Sequence, residues 1–102
     1  MTIFLLGICA RALGADEAPK PTRVTIKGMQ FSPATVTIKV GQTVIWANAD
    51  DRDHTVIAAD GSFKSGNLPA GASYSFTFSK KGKFAYGCSY HPRMKGVIMV
   101  TD

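Results

Sequence analysis

The sequence predicts an all-β protein, an antiparallel Greek-key β-sandwich of seven to eight strands. Apolar and polar residues alternate with a period of two in seven successive runs. The runs are rich in β-branched and aromatic residues, and Gly, Pro, Asn or Asp bounds each of them, as is typical of strands. Because no long stretch shows a helical period, the runs indicate two sheets that each bury one face.

The strands can be assigned in order along the chain. Alternation places Val24 and Ile26 on one face of the first run. It places Val36, Ile38 and Val40 on one face of the second. The seven predicted strands are residues 23–27, 34–40, 43–49, 54–58, 73–79, 82–88 and 96–101.

The large apolar side chains are assigned to the core of this sandwich. Tyr74, Phe76 and Phe78 share one face of the fifth run, so we interpret them as a strand stripe rather than a cofactor site. The other large side chains that we expect in the core are Met29, Trp46 and Met99.

Size and charge limit the possible functions. A chain of 102 residues is enough for one domain with a small core. Twelve Lys and Arg against seven Asp and Glu give a net charge of +5. The basic residues are scattered, except that Lys80, Lys81 and Lys83 flank Gly82. We interpret that group as a solvated turn and expect no nucleic-acid partner, since no base-reading motif accompanies it.

The N-terminus differs from the rest of the chain. Ile3–Ala10 is an apolar run of eight residues, too short to cross a bilayer as a helix and typical of the core of a secretory signal. The small residues Ala12 and Gly14, just before Ala15, fit a signal cleavage site. We therefore expect a periplasmic protein without an integral membrane span. The predicted parts are a signal peptide at 1–15, an N-terminal extension at 16–22 and one domain at 23–102.

One short loop concentrates the residues that can perform chemistry. Signal removal leaves Cys88 as a single cysteine, which cannot form an internal disulfide. Cys88 begins a Cys-x2-His-x2-Met pattern with His91 and Met94. It also continues the alternation of Phe84 and Tyr86, so its side chain should point into the core. Taken alone, Cys88 is better explained as a buried small apolar residue, whereas the spacing favours a metal site.

The three side chains of this loop form a soft donor set. Thiolate, imidazole and thioether together select copper over magnesium, calcium or manganese. Two His and one Cys in a plane, with a long axial Met, form the blue-copper site of electron-transfer proteins. The chain contains one further histidine, His54. It starts a predicted strand and can therefore lie at the same end of the sandwich as the loop.

Two stretches of the chain resemble the cupredoxins, and specifically the amicyanins. The C-terminal stretch has the compact Cys-x2-His-Pro-x-Met loop of the amicyanins in Cys88, His91, Pro92 and Met94. The resemblance covers roughly residues 22–102. The N-terminal stretch has a Phe-x-Pro opening and a Val-x-Val-x-x-Gly-x-x-Val-x-Trp-x-Asn pattern, seen here in Phe31, Pro33, Val36, Ile38, Gly41, Val44, Trp46 and Asn48.

This resemblance implies a ligand set for one type 1 copper ion. It makes His54, Cys88, His91 and Met94 the ligands, with Cys88 forming the strong bond and Met94 a weak axial one. His91 is then the more exposed ligand and the port for the electron. The candidates for an apolar rim around that port are Pro33, Pro69 and Pro92.

Two positions near the site differ from the family pattern. Arg93 stands between the Pro and the Met, where amicyanins commonly have Phe. Thr55 follows the first ligand, where many cupredoxins have Asn. Thr55 can still donate its backbone N–H to the sulfur of Cys88, a contact that would tune the metal. Arg93 affects the expected partner surface more than the copper.

The function expected from these observations is one-electron transfer without enzymatic activity. The resemblance implies a small monomeric carrier between redox proteins, with a quinoprotein amine dehydrogenase as donor and a c-type cytochrome as acceptor. The alternative is a copper-binding protein for delivery or storage. A copper enzyme would need further histidine-rich sites, and the chain has no histidines left for them.

Overall fold

The computed structural model describes residues 20–102, which form two four-stranded sheets. Sheet I has the strand order β2-β1-β4-β6, and sheet II has the order β3-β8-β7-β5. The strands are β1 (Thr22–Ile26), β2 (Phe31–Ser32), β3 (Thr35–Lys39), β4 (Thr43–Asn48), β5 (Ile57–Ala58), β6 (Ser73–Thr77), β7 (Gly82–Gly87) and β8 (Lys95–Thr101).

The predicted all-β sandwich is confirmed, with eight strands and no helix in residues 20–102. Each sheet is mixed rather than purely antiparallel, because β1 pairs with β4 in parallel and β3 pairs with β8 in parallel. Parallel neighbours need a crossover connection. In each crossover the chain contributes at least one strand to the other sheet, so the crossovers also connect the two sheets. No helix in this range is long and apolar enough to span a membrane.

The core lies between the sheets and follows the predicted alternation. Val24 and Ile26 of β1 are fully buried, and so is Trp46 of β4. Trp46 stacks on Phe63 with ring centroids 5.4 Å apart, and the ring of Tyr86 meets it edge-on at 5.4 Å. These aromatic contacts fill the centre of the sandwich, where large rings contribute most to apolar burial.

Three side chains assigned to the core lie elsewhere. Val40 is 42% exposed, because β3 ends at Lys39 and the chain turns there. Met29 is 37% exposed and has a left-handed φ of 61°, since it lies in the turn between β1 and β2 rather than in a strand. Met99 is half-buried on the outward side of β8, where it alternates with buried neighbours.

The predicted strand at 54–58 is shorter than expected. Only Ile57–Ala58 pairs as a strand, with β7. His54 instead forms an isolated bridge with Leu68. The short strand β2 was not predicted, because two residues are too few to show an alternation. The lysine group around Gly82 is exposed, as expected for a solvated turn.

The ends of the strands bring the loop and the first histidine together. The loop 88–94 joins β7 to β8, which are antiparallel neighbours. His54 lies in the connection from β4 to β5, and β5 pairs with the end of β7. The predicted signal peptide at 1–15 lies outside the described residues.

Candidate metal centre

The loop 88–94 is closed by its own backbone. The N–H of Cys88 donates to the carbonyl of Met94 at 3.3 Å, and the N–H of Met94 donates to the carbonyl of His91 at 2.9 Å. Pro92 fixes its own φ and restricts His91 to an extended conformation. Cys88 and Met94 are 5% and 2% exposed. The loop therefore fixes both sulfur-bearing residues at the sandwich end.

Three donor atoms converge at this end. The Sγ of Cys88 lies 3.8 Å from Nδ1 of His54 and 3.7 Å from Nδ1 of His91. All three atoms lie within 4.8 Å of one another. Bonds of about 2.0 Å from nitrogen and about 2.3 Å from sulfur to one ion place the two ligand atoms about 3.7 Å apart at a trigonal angle. The spacing of the side chains therefore fits a single metal ion.

Asp50 fixes the orientation of His54. Its Oδ2 lies 2.8 Å from Nε2 of the fully buried imidazole. The N–H of Gly28 lowers the pKa of Asp50 against the effect of burial, and the N–H of Met29 and the ring of His54 lower it further. The carboxylate is therefore charged and accepts a hydrogen bond from Nε2–H. This leaves Nδ1 unprotonated, with its lone pair available to a metal on the Cys88 side.

The Asp50 carboxylate also holds a neighbouring turn. The N–H of Gly28 donates to Oδ1 at 2.8 Å, and the N–H of Met29 donates to Oδ2 at 3.1 Å. Gly28 and Met29 both have left-handed backbone angles, so the carboxylate stabilises a conformation that is uncommon for methionine. One side chain thus connects the first histidine to the surface turn that carries Met29.

Asn48 secures the connection that carries His54. Its buried amide donates to the carbonyl of Arg52 at 2.7 Å and to the carbonyl of Leu68 at 2.8 Å. Its Oδ1 accepts the N–H of Asp50 at 2.9 Å. Backbone bonds in both directions link His54 to Leu68 at 3.0 and 2.8 Å. His54 is consequently held by segments that are distant in the sequence.

The surroundings of Cys88 favour the thiolate. Burial raises the pKa of the thiol, but the backbone N–H groups of Thr55 and Tyr90 and the contacts with the imidazoles of His54 and His91 outweigh it and lower the pKa to about 6. The N–H of Thr55 lies 3.4 Å from the sulfur, so the predicted contact is present. The sulfur is therefore ready to bind a metal at neutral pH.

The structure brings the four predicted site residues to one place. Three of them form the cluster of donor atoms, and the fourth, Met94, lies beside Cys88 in the wall of one surface groove. His91 is half-buried, whereas His54 is fully buried. The roles of Asp50 and Asn48 were not predicted. In the sequence, Asn48 stands out only as part of the family pattern, and Asp50 is one of three aspartates that precede His54 in one loop.

The predicted proline rim around His91 is only partly present. A shallow apolar depression lies beside His91, and Pro92 lines it. The other walls within the described chain come from Met29, Tyr90 and Arg93 rather than from Pro33 and Pro69. Tyr90 is 50% exposed. The left-handed turn that Asp50 stabilises therefore supplies a side chain to this depression.

Comparisons with known proteins agree with this arrangement. The model of the Cupredoxin-like domain matches residues 1–100. Amicyanin-alpha from Methylorubrum extorquens is 36% identical over 105 aligned positions, which cover 91% of this chain and 84% of that protein.

Two solved structures share the fold. A mutant of amicyanin in the Cu(I) state has a TM-score of 0.73 at 29% identity, covering 84% of this chain and 88% of the other. A Cu-containing nitrite reductase from Thermus scotoductus has a TM-score of 0.77 at 34% identity, but the match covers 82% of this chain and only 23% of the enzyme. The likeness therefore concerns one domain of that enzyme.

Type 1 copper sites typically combine a soft donor set, three donors at trigonal spacing and a buried methionine, and all three features are present here. The fold and the relatives agree with this assignment. The chain belongs to the cupredoxin-like domain family, as a small blue copper protein similar to the amicyanins.

Proposed function

We propose that this protein carries single electrons between two periplasmic redox proteins, with copper bound by His54, Cys88, His91 and Met94. The observation that carries the proposal is the convergence of Cys88 Sγ with the two imidazole Nδ1 atoms at 3.8 and 3.7 Å. The bound copper supplies a Cu(II)/Cu(I) couple, which exchanges one electron without a proton. Met94 would complete the set by supplying a weak thioether ligand.

The protein keeps the ligands in place during the exchange. Asp50 holds the ring of His54, and the bond from the Cys88 N–H to the Met94 carbonyl holds the two ends of the loop together. The N–H of Thr55 stabilises negative charge on the Cys88 sulfur. Because hydrogen bonds and burial fix these groups, we expect the ligands to move little when the charge of the site changes.

Electrons enter or leave through His91. It is half-buried beside the apolar depression formed by Met29, Tyr90, Pro92 and Arg93. A partner surface placed over this depression would exclude water and approach the imidazole directly. The charge of Arg93 at the edge would mainly affect the rate of encounter.

The proposed partners rest on the resemblance to the amicyanins. A quinoprotein amine dehydrogenase is the proposed donor, and a c-type cytochrome is the proposed acceptor. The predicted signal peptide supports a periplasmic location. A coding sequence located beside genes for such a dehydrogenase or cytochrome would support these partners. Failure of both proteins to exchange electrons with the purified carrier would exclude them.

Absorption spectroscopy and voltammetry test the function directly. The copper-loaded protein should show an intense band at about 600 nm from the copper–thiolate bond and a reversible one-electron wave. The Cys88→Ala variant should show no such band. A colourless wild-type protein without a one-electron wave would contradict the proposal. Copper lost to a chelator during redox cycling would instead favour delivery or storage.

A further inference from the structure

The turn between β1 and β2 exposes a methionine in an uncommon backbone conformation. The N–H of Lys27 donates to the carbonyl of Gln30 at 3.0 Å, and the N–H of Gln30 donates to the carbonyl of Lys27 at 3.2 Å. Between them, Gly28 and Met29 have φ angles of 64° and 61°, as in a type I′ hairpin turn. Such turns favour Gly at the second of these positions, so the turn itself does not explain the methionine.

The surroundings hold Met29 in this conformation. Its N–H donates to Oδ2 of Asp50 at 3.1 Å, and the N–H of Gly28 donates to Oδ1 at 2.8 Å. A residue in a sparsely populated conformation persists where its neighbours fix it, and such residues cluster at functional sites. The side chain of Met29 is 37% exposed, so burial in the core does not account for it. The thioether is therefore the feature that needs a function.

Met29 borders two openings that lead toward the metal centre. One is the depression beside His91. The other, the entry groove, lies between the β1–β2 turn and the end of the metal-binding loop. Met94 is 2% exposed, so the groove has one exposed and one buried thioether in its walls. The residues that line the entry groove are Met29, Gln30, Phe31, Ala34, Arg93, Met94 and Lys95.

The chemistry of the entry groove favours Cu(I) over Cu(II). Thioether sulfur is a soft, uncharged ligand that selects Cu(I), and Met29 and Met94 supply two such sulfurs. The walls that residues 20–102 give this groove include no carboxylate and no imidazole. Arg93 and Lys95 add positive charge, which repels a divalent cation more strongly than a monovalent one.

A second groove reaches the same ligands but has no comparable donor at its surface. It runs from Ile57 and Ala85 to Cys88 and Met94. Among the described residues, its outer walls offer no soft side chain that an arriving ion could bind. His54 is fully buried, so it does not receive an ion from solvent directly. The side of the loop that faces Met29 is thus the better route for Cu(I).

We propose that Met29 is a surface binding site for Cu(I), from which the ion passes to Met94 when the metal-free protein takes up copper. In the transfer, the bond from the Met29 sulfur breaks as bonds from the four ligands form. Cys88 binds as the thiolate, and its thiol proton goes to water. The ion keeps its charge, so no oxidant or reductant is needed. This inference rests on the proposed function, because it assumes copper at these four ligands.

The test measures copper uptake by the metal-free protein separately for the two oxidation states. Cu(I) would be supplied without oxygen as its labile acetonitrile complex, and bicinchoninate would capture the copper still unbound at each time. Cu(II) uptake would be followed by the growth of the band at about 600 nm from the copper–thiolate bond.

Three variants separate the sulfur from the backbone of the turn. Met29→Leu removes the sulfur and keeps the apolar bulk. Met29→Asn removes the sulfur and suits the left-handed backbone better than methionine does. Met99→Leu is the matched control, because Met99 lies half-buried on the outward side of β8 and lines neither opening.

The proposal predicts an effect on Cu(I) alone. Met29→Leu and Met29→Asn should each slow Cu(I) uptake about tenfold, the lower end of the loss seen when a residue that supports a metal site is removed. Met99→Leu should change it little. Cu(II) uptake should change little in all three variants, because thioether binds Cu(II) weakly. After complete loading and oxidation, every variant should show the wild-type visible band, since Met29 is not a ligand of the final site.

Three outcomes would overturn the proposal. Unchanged Cu(I) uptake in Met29→Leu would place the entry of copper elsewhere. Slow uptake in Met29→Leu but not in Met29→Asn would assign the effect to the backbone of the turn. Equal slowing of Cu(I) and Cu(II) would mean that Met29 shapes the opening without binding the ion. A wild-type protein that takes up Cu(I) at the expected site-specific rate but never develops the visible band would instead contradict the proposed function.

Discussion

The two histidines of the metal centre are held in place by different means. His54 is fully buried and depends on Asp50, Leu68 and, through Asp50, the turn at Gly28. His91 is half-buried in the loop between β7 and β8. Its position depends on Pro92 and on the bond that its carbonyl accepts from Met94. One ligand is therefore positioned by the tertiary fold, and the other by a few consecutive residues.

Deletion of each imidazole should separate the two ligands most clearly. His54→Gly and His91→Gly should both lose the visible band. Added imidazole should restore it in His91→Gly, because that side chain borders an open depression. Added imidazole should not restore the band in His54→Gly, because the native ring at that position is fully buried. Titration with imidazole, followed by absorption, measures this difference. Equal restoration in both variants would mean that the burial of His54 does not limit access.

Removal of the Asp50 carboxylate should loosen the position of His54 but not that of His91. Asp50→Ala leaves the Nε2 proton of His54 and the N–H groups of Gly28 and Met29 without their acceptor. We expect copper affinity to fall about 10- to 100-fold, as is usual when a partner of a metal-bound histidine is lost. Competition with a copper chelator measures the affinity. Asp53→Ala is the control, since Asp53 is exposed and bonds to Asn67. An equal loss there would indicate a general charge effect.

Substitution of Met94 tests the loop side of the comparison. Met94→Gln replaces the thioether by an amide oxygen, which favours Cu(II) more than sulfur does. We expect the visible band to remain and the reduction potential to fall by about 60 mV or more. For a one-electron couple, that shift corresponds to a tenfold change in the equilibrium constant of reduction. Protein-film voltammetry measures it. An unchanged potential would show that Met94 does not bind the metal.

Thr55 joins the two halves of the centre, and its loss should have the smallest effect. Its Oγ1 accepts the N–H of Ser89 at 2.8 Å and lies 3.7 Å from Cys88 Sγ. Thr55→Val removes these contacts but keeps the backbone N–H that faces the sulfur. Loss of such hydrogen bonds should reduce the free energy of unfolding by about 1 kcal/mol. Urea denaturation of the metal-free protein measures this against Thr37→Val on the outward side of β3, which should change little.

The sequence predicts the loop side of the centre better than the His54 side. Spacing identified Cys88, His91 and Met94, and alternation placed the Cys88 side chain inward, because these relations are local. His54 could be named only because the chain has one other histidine. Its contact with Asp50 depends on the path of a loop with several similar carboxylates, and alternation does not describe loops.

The same limit explains the errors in the fold. Strand alternation located the long strands, but Met29 lies in a left-handed turn between β1 and β2, where alternation does not apply. The register that pairs β1 with β4 in parallel joins segments separated by two further strands. Neither feature has a signal in the residues immediately around it.

The metal-binding loop has well-defined cut points for protein engineering. A Cβ atom at Gly87 would lie 2.9 Å from the carbonyl oxygen of Met94, and one at Gly96 would collide with the ring of Tyr86. Both glycines flank the Cys88–Met94 span. Anyone who transplants this loop into another β-sandwich should therefore move residues 86–96 as a unit. A graft limited to residues 88–94 would lack the close packing at Gly87 and Gly96 that keeps the two ends of the loop together.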